Sequence, residues 1–261
     1  MDMYERTVNE TVLSGIAPLQ LTYLGVFDGF GECPVAYRAH TALFTTATGI
    51  IDDPMNVVKE DELGILVTLR ALAHAIRCME TLLDRNRTTQ WIAVEASGQL
   101  LLADDAYGML EEVLEAEHCR DAKRICLEFP PYVMGLDRAK VQKSMRDVKA
   151  AGLSIGIATV DKAFAASELM DLPVDYVVLD KELSALATDR NKTGVLAAMI
   201  AFMHTMDVQC VADGVSDDDQ IRELTAVECF GFVPAENYVG EFMLPMGYRE
   251  EEAILADEEG V

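Results

Sequence analysis

The sequence predicts an α/β protein built as one TIM-like (β/α)8 barrel with an antiparallel first strand, and three observations predict it. Short apolar runs rich in β-branched and aromatic residues alternate with helix-like stretches along nearly the whole chain. At 261 residues the chain has the length of one large domain rather than two small ones. The first two strand-like runs are joined by Asp28–Pro34, which holds two glycines and a proline and is too short for a crossover helix. Those two runs must therefore pair as a hairpin.

Taken in order, Leu21–Phe27 and Val35–Phe44 form that hairpin. Glu60–Arg87 follows as a helix with Leu63, Leu66, Leu69, Leu72, Ala73 and Ile76 on one face. Trp91–Ala96 is a strand, and Ala103–His118 a helix that brings Met109, Val113 and Leu114 together. The strand Arg124–Phe129 leads to the helix Asp137–Ala151, which Gly152 terminates. After the strand Ser154–Val160, the segment Val160–Met170 has an apolar face of Ala163, Phe164, Ala165, Ala166 and Leu169, which either buries against the barrel or meets a partner. Tyr176–Leu179, Val208–Ala212 and Cys229–Val233 complete the strands, with helices at Lys192–Met206 and Asp217–Ala226 between them. No glycine-rich dinucleotide fingerprint follows the first strand, which counts against an open doubly wound sheet. The barrel domain is expected to span residues 1–248, and residues 249–261 an acidic tail.

Charge narrows the function. Asp and Glu number 45 against 21 Lys and Arg, a formal net charge of −24. Such a surface repels phosphate backbones and anionic lipid, so neither a nucleic-acid polymer nor a membrane is an expected partner. It suits a solvated acidic shell, or a basic protein docking on a helix face such as that of Glu111, Glu112, Glu115 and Glu117. The six cysteines, at 33, 78, 119, 126, 210 and 229, include no CxxC pair and read as reduced core thiols. The opening Met1–Leu13 has no signal-peptide pattern, and the apolar stretch Val195–Met203 is too short to cross a bilayer. A soluble cytoplasmic protein is the expectation.

Five segments in register carry a family resemblance. Val211-Ala212-Asp213-Gly214-Val215, followed by Gln220 and Leu224, is similar to an AEGVE-plus-Gln signature at the end of a seventh strand. Gly152 with Leu153–Thr159, then Leu172–Asp175 and Leu179-Asp180, resembles a region running from a DDFG loop to a KID strand. Ala93–Ser97 with Gln99-Leu100 looks like a VNLS segment, and Leu127-Glu128-Phe129 like the start of LEITE. Together they resemble the EAL family of cyclic di-GMP phosphodiesterases, over nearly the whole chain.

The resemblance implies a metal-assisted site at the C-terminal mouth of the barrel, where converging carboxylates activate water. Residue by residue, the signature glutamate falls on Arg38, its leucine on His40, and the dinucleotide-gripping arginine on Ala42. The metal-binding asparagine becomes Glu95, the two aspartates of the DDFG loop Ala158 and Thr159, and the catalytic lysine Val178. The glutamines of the YQPI and QGY signatures fall on Leu24 and Val239. Glu128, Asp180 and, one methylene shorter, Asp213 keep their acidic character.

These positions are therefore expected to be vestigial, with no catalytic residue, no metal and no cofactor. An arginine among carboxylates is expected to act as their counter-ion, pairing with Glu95 or Glu128. His40 stands beside Arg38 with no organised nucleophile and reads as structural. The expected protein is not an enzyme but a regulator acting through a protein partner, a second copy of itself included. Cyclic di-GMP, held without hydrolysis, is the alternative ligand, and an enzyme with altered chemistry at the mouth a remote third.

Overall fold

The computed structural model describes residues 19–29, 33–45, 49–52, 63–85 and 89–238. The expected tail 249–261 and Val239 lie outside them. The described chain runs β1 (Leu19–Val26), β2 (Ala36–Thr45), β3 (Gly49–Asp52), α1 (Leu63–Asp84), β4 (Ile92–Glu95), α2 (Ala106–Ala116), β5 (Ile125–Phe129), α3 (Arg138–Ala150), β6 (Ser154–Val160), β7 (Tyr176–Leu179), α4 (Lys181–Ser184), α5 (Thr193–His204), β8 (Gln209–Val215), α6 (Asp218–Ala226) and β9 (Gly231–Pro234).

The sheet order is β1-β2-β4-β5-β6-β7-β8-β9, with β1 antiparallel to β2 and every later neighbour parallel. The two ends of that order meet. Phe27 and Phe232 exchange backbone hydrogen bonds of 2.9 and 2.8 Å in an antiparallel bridge that closes the barrel. Gly231 makes this approach possible, since a Cβ there would lie 2.8 Å from the Phe27 carbonyl oxygen. The (β/α)8 barrel with its antiparallel first strand is thus the observed fold. The short β3, antiparallel to β2, was not expected, because four residues carry too little pattern to stand out.

Aspartate starts four of the helices. Asp105, Asp137, Asp180 and Asp217 each accept a hydrogen bond from the backbone N–H three residues on, at Gly108, Lys140, Leu183 and Gln220. Each such cap stabilises its helix by about 1 kcal/mol. The helix expected from Ala103 begins only at Ala106, where Asp105 caps it, after a 3-10 turn over Gly98–Leu102. At its other end α3 stops at Gly152, which adopts φ +89° as the terminating glycine should.

The core lies in two parts. Outside the barrel, α1 buries Val67, Ala71, Leu72, Ala75, Ile76 and Met79 against the sheet. Each large apolar side chain so covered contributes about 1.5–3 kcal/mol. The segment Val160–Met170 joins this outer core: Leu169 is buried and Phe164 packs against it, leaving Met170 exposed. Inside the barrel, Val26, Ala36, Ala93, Cys126, Val178, Val211 and Val233 fill the middle. Trp91 stacks on Tyr176 with ring centroids 4.6 Å apart at the end where the strands begin. The side-chain alternation of parallel strands then carries the next inward residues to the opposite end, the mouth.

Candidate functional site at the barrel mouth

Arg38 on β2 reaches across the mouth to Glu128 on β5. Its Nε donates to Oε2 at 2.9 Å and its Nη2 to Oε1 at 2.6 Å, a two-pronged pair. Its Nη1 also donates to Asp213 Oδ2 on β8 at 3.3 Å. Arg38 is 13% exposed and Glu128 only 4%. Burial works against the arginine's charge, but the charge and hydrogen bonds of Glu128, then Asp213, more than reverse this and raise its pKa. A third donor completes Glu128: the hydroxyl of Tyr176 donates to Oε2 at 2.7 Å. Burial above all, then Cys126 and Glu128, holds that phenol protonated well beyond the usual range, so it remains a donor.

Tyr176 threads the barrel because β6 makes room for it. Gly156 is its register partner, and a Cβ at 156 would overlap the tyrosine ring. Neither residue stood out in the sequence. The available signal was the period-two alternation of β7, which turns Tyr176, Val178 and Asp180 the same way, since an inward tyrosine needs a partner for its hydroxyl.

The other expected positions divide. Glu95 pairs not with Arg38 but with His40, 3.5 Å from its Nδ1, and accepts the backbone N–H of Thr41. Ala158 and Thr159 sit where the β6–β7 register shifts, and Thr159 takes φ +26°. Val178 is fully buried inside the barrel, while Asp180 turns to cap α4. Arg38, Glu128 and Asp213 are therefore brought together, whereas Asp180 is committed elsewhere.

The family resemblance implies a metal at this mouth, and the residues as arranged do not fit one. The Arg38 guanidinium stands between Glu128 and Asp213. Among the described residues no three His, Cys, Asp or Glu side chains form a group that could hold a metal ion.

The chain matches the EAL domain family over residues 21–232. It belongs to the EAL family. Among solved structures it is similar to the PaMucR phosphodiesterase in complex with c-di-GMP (18% identity, TM-score 0.74, covering 91% of this chain and 100% of that one). It is likewise similar to an EAL domain protein of Listeria monocytogenes (18% identity, TM-score 0.73, 94% of each chain). Uncharacterised proteins of Mycobacterium bovis and Mycobacterium tuberculosis are 25% identical over 135 residues, which is 50% of this chain and 22% of theirs. This EAL chain thus spans about a fifth of the length of those curated relatives.

Family membership corrects one expectation. The substitutions at the mouth led to the reading that the protein is not an enzyme, and that exclusion does not stand for a chain of a family whose solved members include a phosphodiesterase. The physical reason is visible at the mouth. Substitutions read one at a time count lost groups, but Glu128 and Asp213 keep their acidic character at one end of the barrel, and Glu95 adds a carboxylate beside Glu128. Elsewhere, no helix among the described residues is long and apolar enough to cross a membrane.

Proposed function

We propose that this EAL domain serves cyclic di-GMP signalling as a regulatory module that acts through protein–protein contact, with a second copy of the chain as partner. The observation that carries this reading is the outer face of α5. From Thr193 to Phe202 the helix has no charged residue, and Val195 is 65% and Phe202 40% exposed. On a chain of net charge −24, this face is where two copies can approach with the least mutual repulsion. An isologous contact between two such faces would bury apolar surface on both sides. The sequence marks Lys192–Met206 as a helix and Val195–Met203 as apolar, but which of its residues face outward depends on the packing of α5.

Sedimentation velocity over a range of concentrations tests the proposal. The native chain is expected to associate with rising concentration, and Phe202→Asp to stay monomeric while keeping its fold. A native chain that is monomeric throughout would overturn it.

A second reading, supported by the Arg38 geometry and by the c-di-GMP complex among similar structures, is that the mouth holds the dinucleotide. A guanidinium is suited to gripping phosphate once it exchanges a carboxylate for it. Calorimetric titration with cyclic di-GMP separates this reading from the first, because saturable binding lost in Arg38→Lys and kept in Phe202→Asp belongs to the mouth alone.

A further inference from the structure

A cavity of about 290 Å³ opens at the end of the barrel opposite the mouth, lined by Trp91, Cys126, Ser154, Asp175, Tyr176, Asp207 and Gln209. Its polar groups divide sharply into those already engaged and those that are not. Both Asp175 oxygens take the Lys149 ammonium, at 2.7 and 2.8 Å, and one also accepts the Ile155 N–H. The Ser154 hydroxyl donates to the Lys123 carbonyl. By contrast, the Asp207 carboxylate and the Gln209 amide make no hydrogen bond or ion pair with the described residues. The same holds for the indole N–H of Trp91, a residue only 8% exposed that lines the cavity. That N–H is not sealed from solvent, so it stays available to donate to a group bound beside it.

We infer that this cavity is a binding site for a small organic cation of ammonium or guanidinium type that also carries a carbonyl acceptor. Asp207 supplies the unneutralised charge, Trp91 donates to the acceptor, and Gln209 offers both a donor and an acceptor at the rim. The edge of Trp91, which is stacked on both Tyr176 and Phe230, supplies the apolar part of the wall that such a ligand's carbon skeleton would meet. An anion is disfavoured, because the Lys149 ammonium beside the cavity is already spent on Asp175. A metal ion is not indicated either, since no three ligating side chains gather there among the described residues. The site shares Tyr176 with the Arg38 network, whose Glu128 that residue reaches through its hydroxyl, but the proposal does not depend on how the mouth is used.

Trp91 is the only tryptophan of the chain, so its fluorescence reports this cavity directly. The probe is argininamide with its α-amine acetylated, which leaves the guanidinium as its one charge beside a carbonyl, and citrullinamide acetylated in the same way is its neutral counterpart of nearly the same shape. The acetylated argininamide is expected to change the emission saturably in the millimolar range or below, and the acetylated citrullinamide to bind at least about tenfold more weakly. Asp207→Asn, at an exposed position, is expected to keep the fold by circular dichroism and lose at least about tenfold in affinity for the acetylated argininamide. No saturable change with the acetylated argininamide, an equal response to the acetylated citrullinamide, or undiminished binding by a folded Asp207→Asn would each overturn the assignment.

Discussion

Gly156 and Tyr176 face one another across neighbouring strands, and the missing Cβ of the first is the space the ring of the second occupies. That space lets the Tyr176 hydroxyl reach Glu128, so a glycine on β6 helps set the position of a carboxylate on β5. Gly156→Ala should force the ring aside and destabilise the fold by about 1–3 kcal/mol, the usual cost of overpacking. Urea denaturation measures this, and Gly156→Ala combined with Tyr176→Leu should recover part of the loss. A Gly156→Ala protein as stable as the native one would show that the ring has room to spare.

Arg38→Ala should cost about 3–5 kcal/mol, because it leaves the buried Glu128 with only the Tyr176 hydroxyl as donor. Arg38→Lys should recover part of this, as an ammonium restores the charge but not the two-pronged geometry. Chemical denaturation of the two variants checks the ranking.

Thr159→Gly should stabilise the protein. A β-branched residue at φ +26° carries about 1–3 kcal/mol of strain. The greater freedom of glycine in the unfolded chain costs about 0.5–1 kcal/mol in return. A net gain of about 1 kcal/mol, seen as a raised melting temperature, is the expected outcome, whereas a loss would mean that the threonine side chain contributes more than its backbone costs.

Alkaline pH should weaken the fold through its thiols. Burial pushes Cys229 up to about 12 and raises Cys126 and Cys210 as well. Below the ordinary thiol pKa of about 8.5 both folded and unfolded chains keep these protons, and nothing is lost. Above it the unfolded chain gives them up first, so stability falls as pH rises, by up to about 1.4 kcal/mol per pH unit for each thiol, and levels off only past the folded pKa. Denaturation midpoints measured from pH 8 upward check the sign, and Cys229→Ala should flatten the slope.

The barrel was legible because its signals are local and repeated. Strand runs such as Ser154–Val160 and Tyr176–Leu179 appear at the bounds read from the sequence, and aspartates and Gly152 mark helix ends with short-range chemistry. At the site, the placement of Arg38 beside Glu128 followed from asking what neutralises a carboxylate once a cation replaces a metal ligand. What could not be read depends on three-dimensional reach. Glu95 could as well have met Arg38 as His40, and the register of β2 on β4, which pairs Arg38 with Ala93 and Ala39 with Val94, decides. Asp180 looks like a site residue in the sequence and is spent on the first turn of α4. Tyr176 reads as an ordinary strand residue until Gly156 is found beside it.

The closure of the barrel has a consequence for how the chain reaches this shape. Phe27 and Phe232 lie near opposite ends of the described sequence, yet their two mutual hydrogen bonds form the seam. Every other strand pairing on the circuit joins neighbours in chain order, apart from the step over β3. Loop-closure entropy therefore weighs most on this one contact, which has the highest contact order in the sheet and should form last. During synthesis the hairpin of β1 and β2 must wait with an unpaired edge until β9 leaves the ribosome. In the finished protein the amides of Phe27 and Phe232 should exchange with solvent sooner than those of β5 and β6, because the seam can part without dismantling the rest.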